Sequence, residues 1–264
     1  MANAPRGPSA ALAAPSVRPG FGAGLTAFFG GLGFVVRTPA VWPLALVPMV
    51  IALVLTGALA AAGISWVPGW VAAIIGPPQG TVGSVLGWLA QVAAAVLAVV
   101  LAFVIGFGLA QPLSGPALER LVRRVEATLG APTWPATSTV EDIVRSLQTV
   151  VVGYAFALPA LATLFVIGVV IPPATVVTVP LKVLVMAMML AWDACDYPLS
   201  IRGVSVGTRV AFMKRNAAAM VGFGAALVVV GLVPCLLLLV LPAGVAGAAR
   251  LIHDIERFEG RQTR

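Results

Sequence analysis

Charge is what this sequence has least of. Only 9% of its 264 residues are Asp, Glu, Lys or Arg, against about 25% in ordinary soluble domains. A soluble globule of this size cannot cover its surface with so few charges. A coiled coil is excluded too, because its e and g positions would go unfilled. There is one histidine, His253, which reads as a polar residue of the terminal segment, and there are two cysteines, Cys195 and Cys235. Two thiols make no disulfide framework, and a lone histidine has no companion ligands for a metal. No Ser/His/Asp set, paired histidines, glycine-rich phosphate loop or H-E-x-x-H stretch occurs. No enzyme class is therefore indicated, and no cofactor is expected.

What is abundant is apolar. Such residues make up 60% of the chain, and the mean hydropathy is +1.06. A disordered chain is excluded. The composition indicates an all-α, polytopic helical membrane protein, with the lipid bilayer as its first partner. The net charge of +7 does not point to nucleic acid, because the charges sit in short segments between apolar runs rather than as a stripe on a polar domain.

Residues 1–19 carry four prolines and no continuous apolar run, so they are expected to be a disordered lead-in rather than a signal peptide. Residues 20–252 read as a single helical membrane domain, and 253–264 as a charged C-terminal tail. Within that domain, 20–37 is expected to form a short helix at the interface, weakened by its glycines. Residues 41–64 and 84–110 are long enough to span, joined by a charge-free stretch, 65–83, with Trp66 and Trp70 as interfacial aromatics. Residues 111–130 differ in kind. Leu118, Leu121, Val122, Val125 and Leu129 recur at helical spacing with arginines and glutamates between them, from Pro116 to a stop at Gly130. This predicts an amphipathic surface helix. Ser138-x-x-Glu141 reads as a capping box opening the next helix.

That helix runs through the apolar stretch 147–171 to Pro172-Pro173, and a second arm is expected over roughly 181–192. A further apolar block, 217–249, is broken at Pro234. Loop charge decides how these blocks cross. Arg37, Arg120, Arg123, Arg124, Arg145, Arg202, Arg209, Lys214, Arg215 and Arg250 flank the blocks, and none lies in 65–83 or at a proline break. Three hairpins with every basic loop on one face satisfy this. The expectation is two long spanning helices followed by two proline-broken hairpins, whose short arms leave full or partial penetration open. Both termini, 111–146 and 193–216 are then cytoplasmic.

Few residues suggest chemistry. Asp193 and Asp196 are expected to be ordinary ion-pair partners of Arg202 and Arg209. Lys182 is more informative. It follows the Pro172–Pro180 break and sits deep in apolar sequence, where an ionisable side chain either lines an ion path or snorkels to the far interface. Helix N-termini near Pro180 and Pro234 would offer unpaired N–H groups to an anion.

The stretch 189–251 resembles the CysZ-type sulfate transporters of the etoposide-induced-protein membrane superfamily. The pieces that match are Asp196-Tyr197-Pro198, Arg209 with Lys214-Arg215, Gly222-Phe223-Gly224, Val233-Pro234, and Leu241-Pro242-Ala243 through Gly247-Ala248. Thr38-Pro39, Val47-Pro48 and Ala110-Gln111-Pro112-Leu113 through Leu118-Glu119 extend the likeness over about 20–252. The resemblance implies sulfate uptake for cysteine synthesis, proton-linked or channel-like, by a bacterial inner-membrane homo-oligomer. One departure stands out. Where the related transporters follow Thr-Pro with Gly-Leu-Arg, which contacts sulfate, this chain has Ala40, Val41 and Trp42. Arg37, three residues earlier, is the expected substitute, and Arg37 and Lys182 are the candidate substrate-binding residues. The function expected is transport of sulfate or a related small inorganic anion. The alternative is a non-conducting membrane structural or interaction protein of the same fold.

Overall fold

In hydrocarbon a backbone has no polar partner but itself, so long apolar runs become helices. The computed structural model describes residues 17–76, 80–133 and 139–262. The described residues form α1 (Phe21–Arg37), α2 (Trp42–Ile75), α3 (Gly80–Leu113), α4 (Gly115–Leu129), α5 (Thr139–Val170), α6 (Thr175–Ile201), α7 (Val206–Arg215), α8 (Ala217–Gly231) and α9 (Pro234–Gln262), with short 3-10 turns at Pro39–Val41 and Pro172–Ala174. No strand occurs among them. Four helical stretches are long and apolar enough to cross a membrane, or five if the bent pair α7–α8 counts as one. The chain is a multi-pass membrane protein.

The first hairpin is longer than its sequence suggests. α2 continues through Pro68 to Ile75 and α3 begins at Gly80, so much of the expected connector 65–83 is helix. A helix in lipid tolerates an internal proline because no other conformation satisfies the neighbouring groups better. The two helices lie antiparallel and pack closely, with Gly106 against Thr56 and Gly63 against Ala98. Trp66 and Trp70 stand exposed near the tip, their rings 6.1 Å apart.

The second hairpin, α5–α6, likewise exceeds the expectation. α6 starts at Thr175 rather than near 181, and Pro180 falls inside it. The stretches Val151–Val170 and Pro172–Ile201 are each long enough to cross. The helix N-terminus expected near Pro180 is therefore at Thr175, whereas the one expected at Pro234 is where α9 begins. Ser138 of the expected capping box lies outside the described residues, as does the lead-in up to residue 16. The third pair keeps a short arm: α8 has 15 residues, and α7 meets it at 92°.

α1 is not an isolated interfacial helix. It packs against α8 and α9, and its glycines are the reason. A Cβ at Gly24 would collide with the Ala219 carbonyl, and one at Gly31 with the backbone of Ala243 and Gly247. Without side chains at these points the backbones approach closely, as small residues permit between membrane helices. Phe28, wholly buried, meets the Phe223 ring edge-on with centroids 6.3 Å apart.

α4 forms as its periodicity predicts. Leu118, Leu121, Val122 and Val125 are fully buried against α9 and the end of α6. Gly130, at φ 70°, closes the helix in the left-handed region: its N–H donates to Ala127 O, and the next N–H, of Ala131, to Glu126 O. α9 runs without a break into residues 253–262.

Candidate functional site

The charged residues gather at one end of the bundle. Tyr197 Oη donates to Gln111 O at 3.3 Å, which places the C-terminal end of α6 beside that of α3. At that level Arg209, 1% exposed, is enclosed. Its guanidinium pairs with Asp196 and donates to Val204 O at 2.9 Å, Thr149 Oγ1 at 3.2 Å and Ser200 Oγ at 3.3 Å. One side chain thus ties α5, α6 and α7. Arg202 forms a second junction, meeting Glu126 at 2.6 Å and Glu256 at 2.8 Å and so joining α4, α6 and α9. Burial holds the Glu126 carboxyl above the ordinary carboxylate range despite the adjacent Arg202.

The expected pairing of Asp193 and Asp196 with Arg202 and Arg209 is therefore half right. Asp196 takes Arg209, but Arg202 turns to glutamates remote in the chain. Asp193 instead lines a cavity of about 750 Å³, counting its open mouth, between α2, α3, α6, α8 and α9. Apart from Gln111, its other lining residues are apolar, Met49, Phe107, Leu227 and Leu241 among them.

Arg37 is the exposed last residue of α1, immediately before the turn that starts α2. That turn is fastened from both sides. Trp42 Nε1 donates to Val35 O at 2.9 Å, and Arg124 of α4 donates to Ala40 O. Arg124 is exposed and carries a guanidinium to the turn before α2. Sequence reasoning placed Arg124 only on the polar face of α4. The register with the buried Leu121 and Val125 was the signal available, but it cannot say what the polar face meets.

Lys182 lies at the other end of the molecule. It precedes Tyr197 by fifteen residues on α6, about 22 Å at the helical rise. It is half-buried, with Nζ 5.5 Å from the centre of the Phe165 ring. Thr178, one turn earlier, is buried, and its Oγ1 has no hydrogen-bond partner among the described residues. Both converge on Gly168 of α5: a Cβ there would lie 3.2 Å from Thr178 Oγ1 and 3.7 Å from Lys182 Nζ. Arg37 and Lys182 are thus not brought together, and neither lines the cavity at Asp193.

Comparison with known proteins shows the family. The family model described as sulfate transporter CysZ/etoposide-induced protein 2.4 matches residues 27–242. The sulfate transporter CysZ of Pectobacterium atrosepticum is 32% identical over 149 residues, covering 55% of this chain and 53% of that protein. The matched region is about half the length of that curated relative. A match from within α1 into α9 takes in every helix described above, and the chain belongs to the sulfate transporter CysZ/etoposide-induced protein 2.4 family.

Proposed function

We propose that this protein is a bacterial inner-membrane transporter or channel for sulfate or a related small inorganic anion, supplying sulfur assimilation. The observation that carries the reading is the family match across 27–242, supported by the CysZ relative. Two cationic stations suit an anion route. The first is the turn before α2, which Arg37 precedes in the chain and Arg124 meets at Ala40 O. The second is the α5–α6 end, where the Lys182 ammonium and the Thr178 hydroxyl, which has no hydrogen-bond partner among the described residues, both approach Gly168. An ammonium and a hydroxyl are both donors, and a dianion accepts from both. In low-dielectric surroundings their attraction exceeds that of the same groups in water.

Radiolabelled sulfate flux into liposomes reconstituted with the full chain tests the reading. Arg37→Gln and Lys182→Met should each slow uptake several-fold while leaving insertion intact, and Arg261→Gln should change nothing. Equal uptake by the Arg37→Gln/Lys182→Met double variant would route the path elsewhere. No anion flux by the unmodified protein would leave the non-conducting alternative.

A further inference from the structure

A groove of about 1060 Å³, counting its open mouth, runs between α5, α6 and α7. We propose that it binds an anionic phospholipid, with an acyl chain along α5–α6 and the phosphate at Lys214.

The groove has two unlike ends. Its length is set by Val152–Ala160 on α5 and by Leu184–Trp192 on α6, about 12 Å of each helix. Trp192 Nε1 donates to Thr149 O at 3.1 Å, which fixes Trp192 and the beginning of the groove at one level. That level is also where Arg209 joins α7 to α5 and α6. From there the walls are apolar towards Ala160 and Leu184, Phe156 and Met188 among them. Starting at the interface, 12 Å reaches about two-fifths of the way through a 30 Å hydrocarbon core. The deep end thus suits an acyl chain, and the thioethers of Met188, Met189 and Met213 adapt to its shape. Gly153 keeps the upper wall open, since a Cβ there would sit 3.0 Å from Trp192 Cδ1.

The interfacial end is cationic. Lys214 lines the mouth, and Arg215 follows it; both are exposed, and neither has an ion-pair partner among the described residues. Arg18 joins them through its hydrogen bond to Asn216 Oδ1 at 3.3 Å. The chain carries no acidic residue between Asp196 and Asp254, so nothing on α7 or α8 offsets these charges. α7, bent 92° from α8, lies along the surface if α8 crosses it, which holds Lys214 at headgroup height. A zwitterionic lipid would fill the apolar wall equally well but would gain less from the cations.

Native mass spectrometry of the full chain in detergent, titrated with phosphatidylglycerol or phosphatidylcholine of identical acyl chains, tests the proposal. Phosphatidylglycerol should bind about fivefold tighter, and Lys214→Gln should remove most of that preference. Gly153→Leu should weaken both lipids, with Ala160→Trp at the deep end serving the same purpose should the first variant fail to fold. Arg120→Gln, an equal charge change on α4, should leave the preference intact. Equal binding of the two lipids, or a preference unaltered by Lys214→Gln, overturns the proposal. So does a dimer whose contact face covers the groove and excludes lipid. Because no step reads flux, these results stand apart from the fate of the transport reading.

Discussion

Arg202 and Arg209 each hold a buried carboxylate, but their surroundings differ. Arg209 is held by a carboxylate, a carbonyl and two hydroxyls. Arg202 balances two glutamates, of which Glu126 is 3% exposed and Glu256 42%. Removing Arg202 leaves Glu126 buried beside no cation of equal reach. Breaking a buried pair in this way costs about 3–5 kcal/mol. Arg202→Met should therefore lower thermal stability in detergent markedly, and adding Glu126→Gln should recover part of the loss. Strict additivity of the two changes would show that they are not coupled. Protons act on the same junction. Burial raises the Glu126 pKa above its unfolded value, so its contribution to stability is full below the ordinary carboxylate range and is lost as pH rises through the raised value. Compared with wild type, Glu126→Gln should gain stability as pH rises from about 4 to about 8, read as the difference in melting temperature. A constant difference would put the ionisation outside the folding equilibrium.

At the scale of elements, the glycines of α1 are not equivalent. Gly24 and Gly31 sit where another backbone touches, while Gly33 has nothing within 4 Å. Overpacking a tight contact costs about 1–3 kcal/mol, and more where the obstacle is backbone. Gly31→Val should detach α1 from α9 and lower the melting temperature by many degrees, whereas Gly33→Val should stay within about 0.5 kcal/mol of wild type. Similar losses from both would mean that the backbone contact at Gly31 is not what sets the cost. This contrast also marks where sequence reading stops. α4 is legible because its stripe, its proline start and its glycine stop are local. The glycines of α1 look like helix breakers, since their use depends on α8 and α9, nearly two hundred residues away. Asp196 and Arg209 are near enough in sequence to suggest a pair. Arg202 and Glu256 lie 54 residues apart, and only the packing of α9 brings them together. The cationic turn shows the same limit. Arg37 is apparent as the charge beside a proline, but Arg124 enters through the docking of α4.

For the molecule as a whole, the charge-free facing ends of α2 and α3, Ile75 and Gly80, stand opposite an end crowded with arginines and glutamates. Cysteines placed singly at the exposed Thr81 and Thr133 should react with a membrane-impermeant maleimide from opposite sides. Reaction of both from the same side would refute the hairpin arrangement. The length of that first hairpin has its own consequence. α2 and α3 have 34 residues each, about 51 Å of helix, whereas a bilayer with its headgroups measures about 40–45 Å. The buried residues of α3, Ala102, Gly106 and Ala110, lie only in its half nearest the rest of the bundle. A pair anchored at one end and longer than its solvent is thick accommodates the excess by leaning. The lean steepens as the bilayer thins and relaxes as it thickens, so this hairpin makes the protein responsive to the acyl-chain length of the lipids around it.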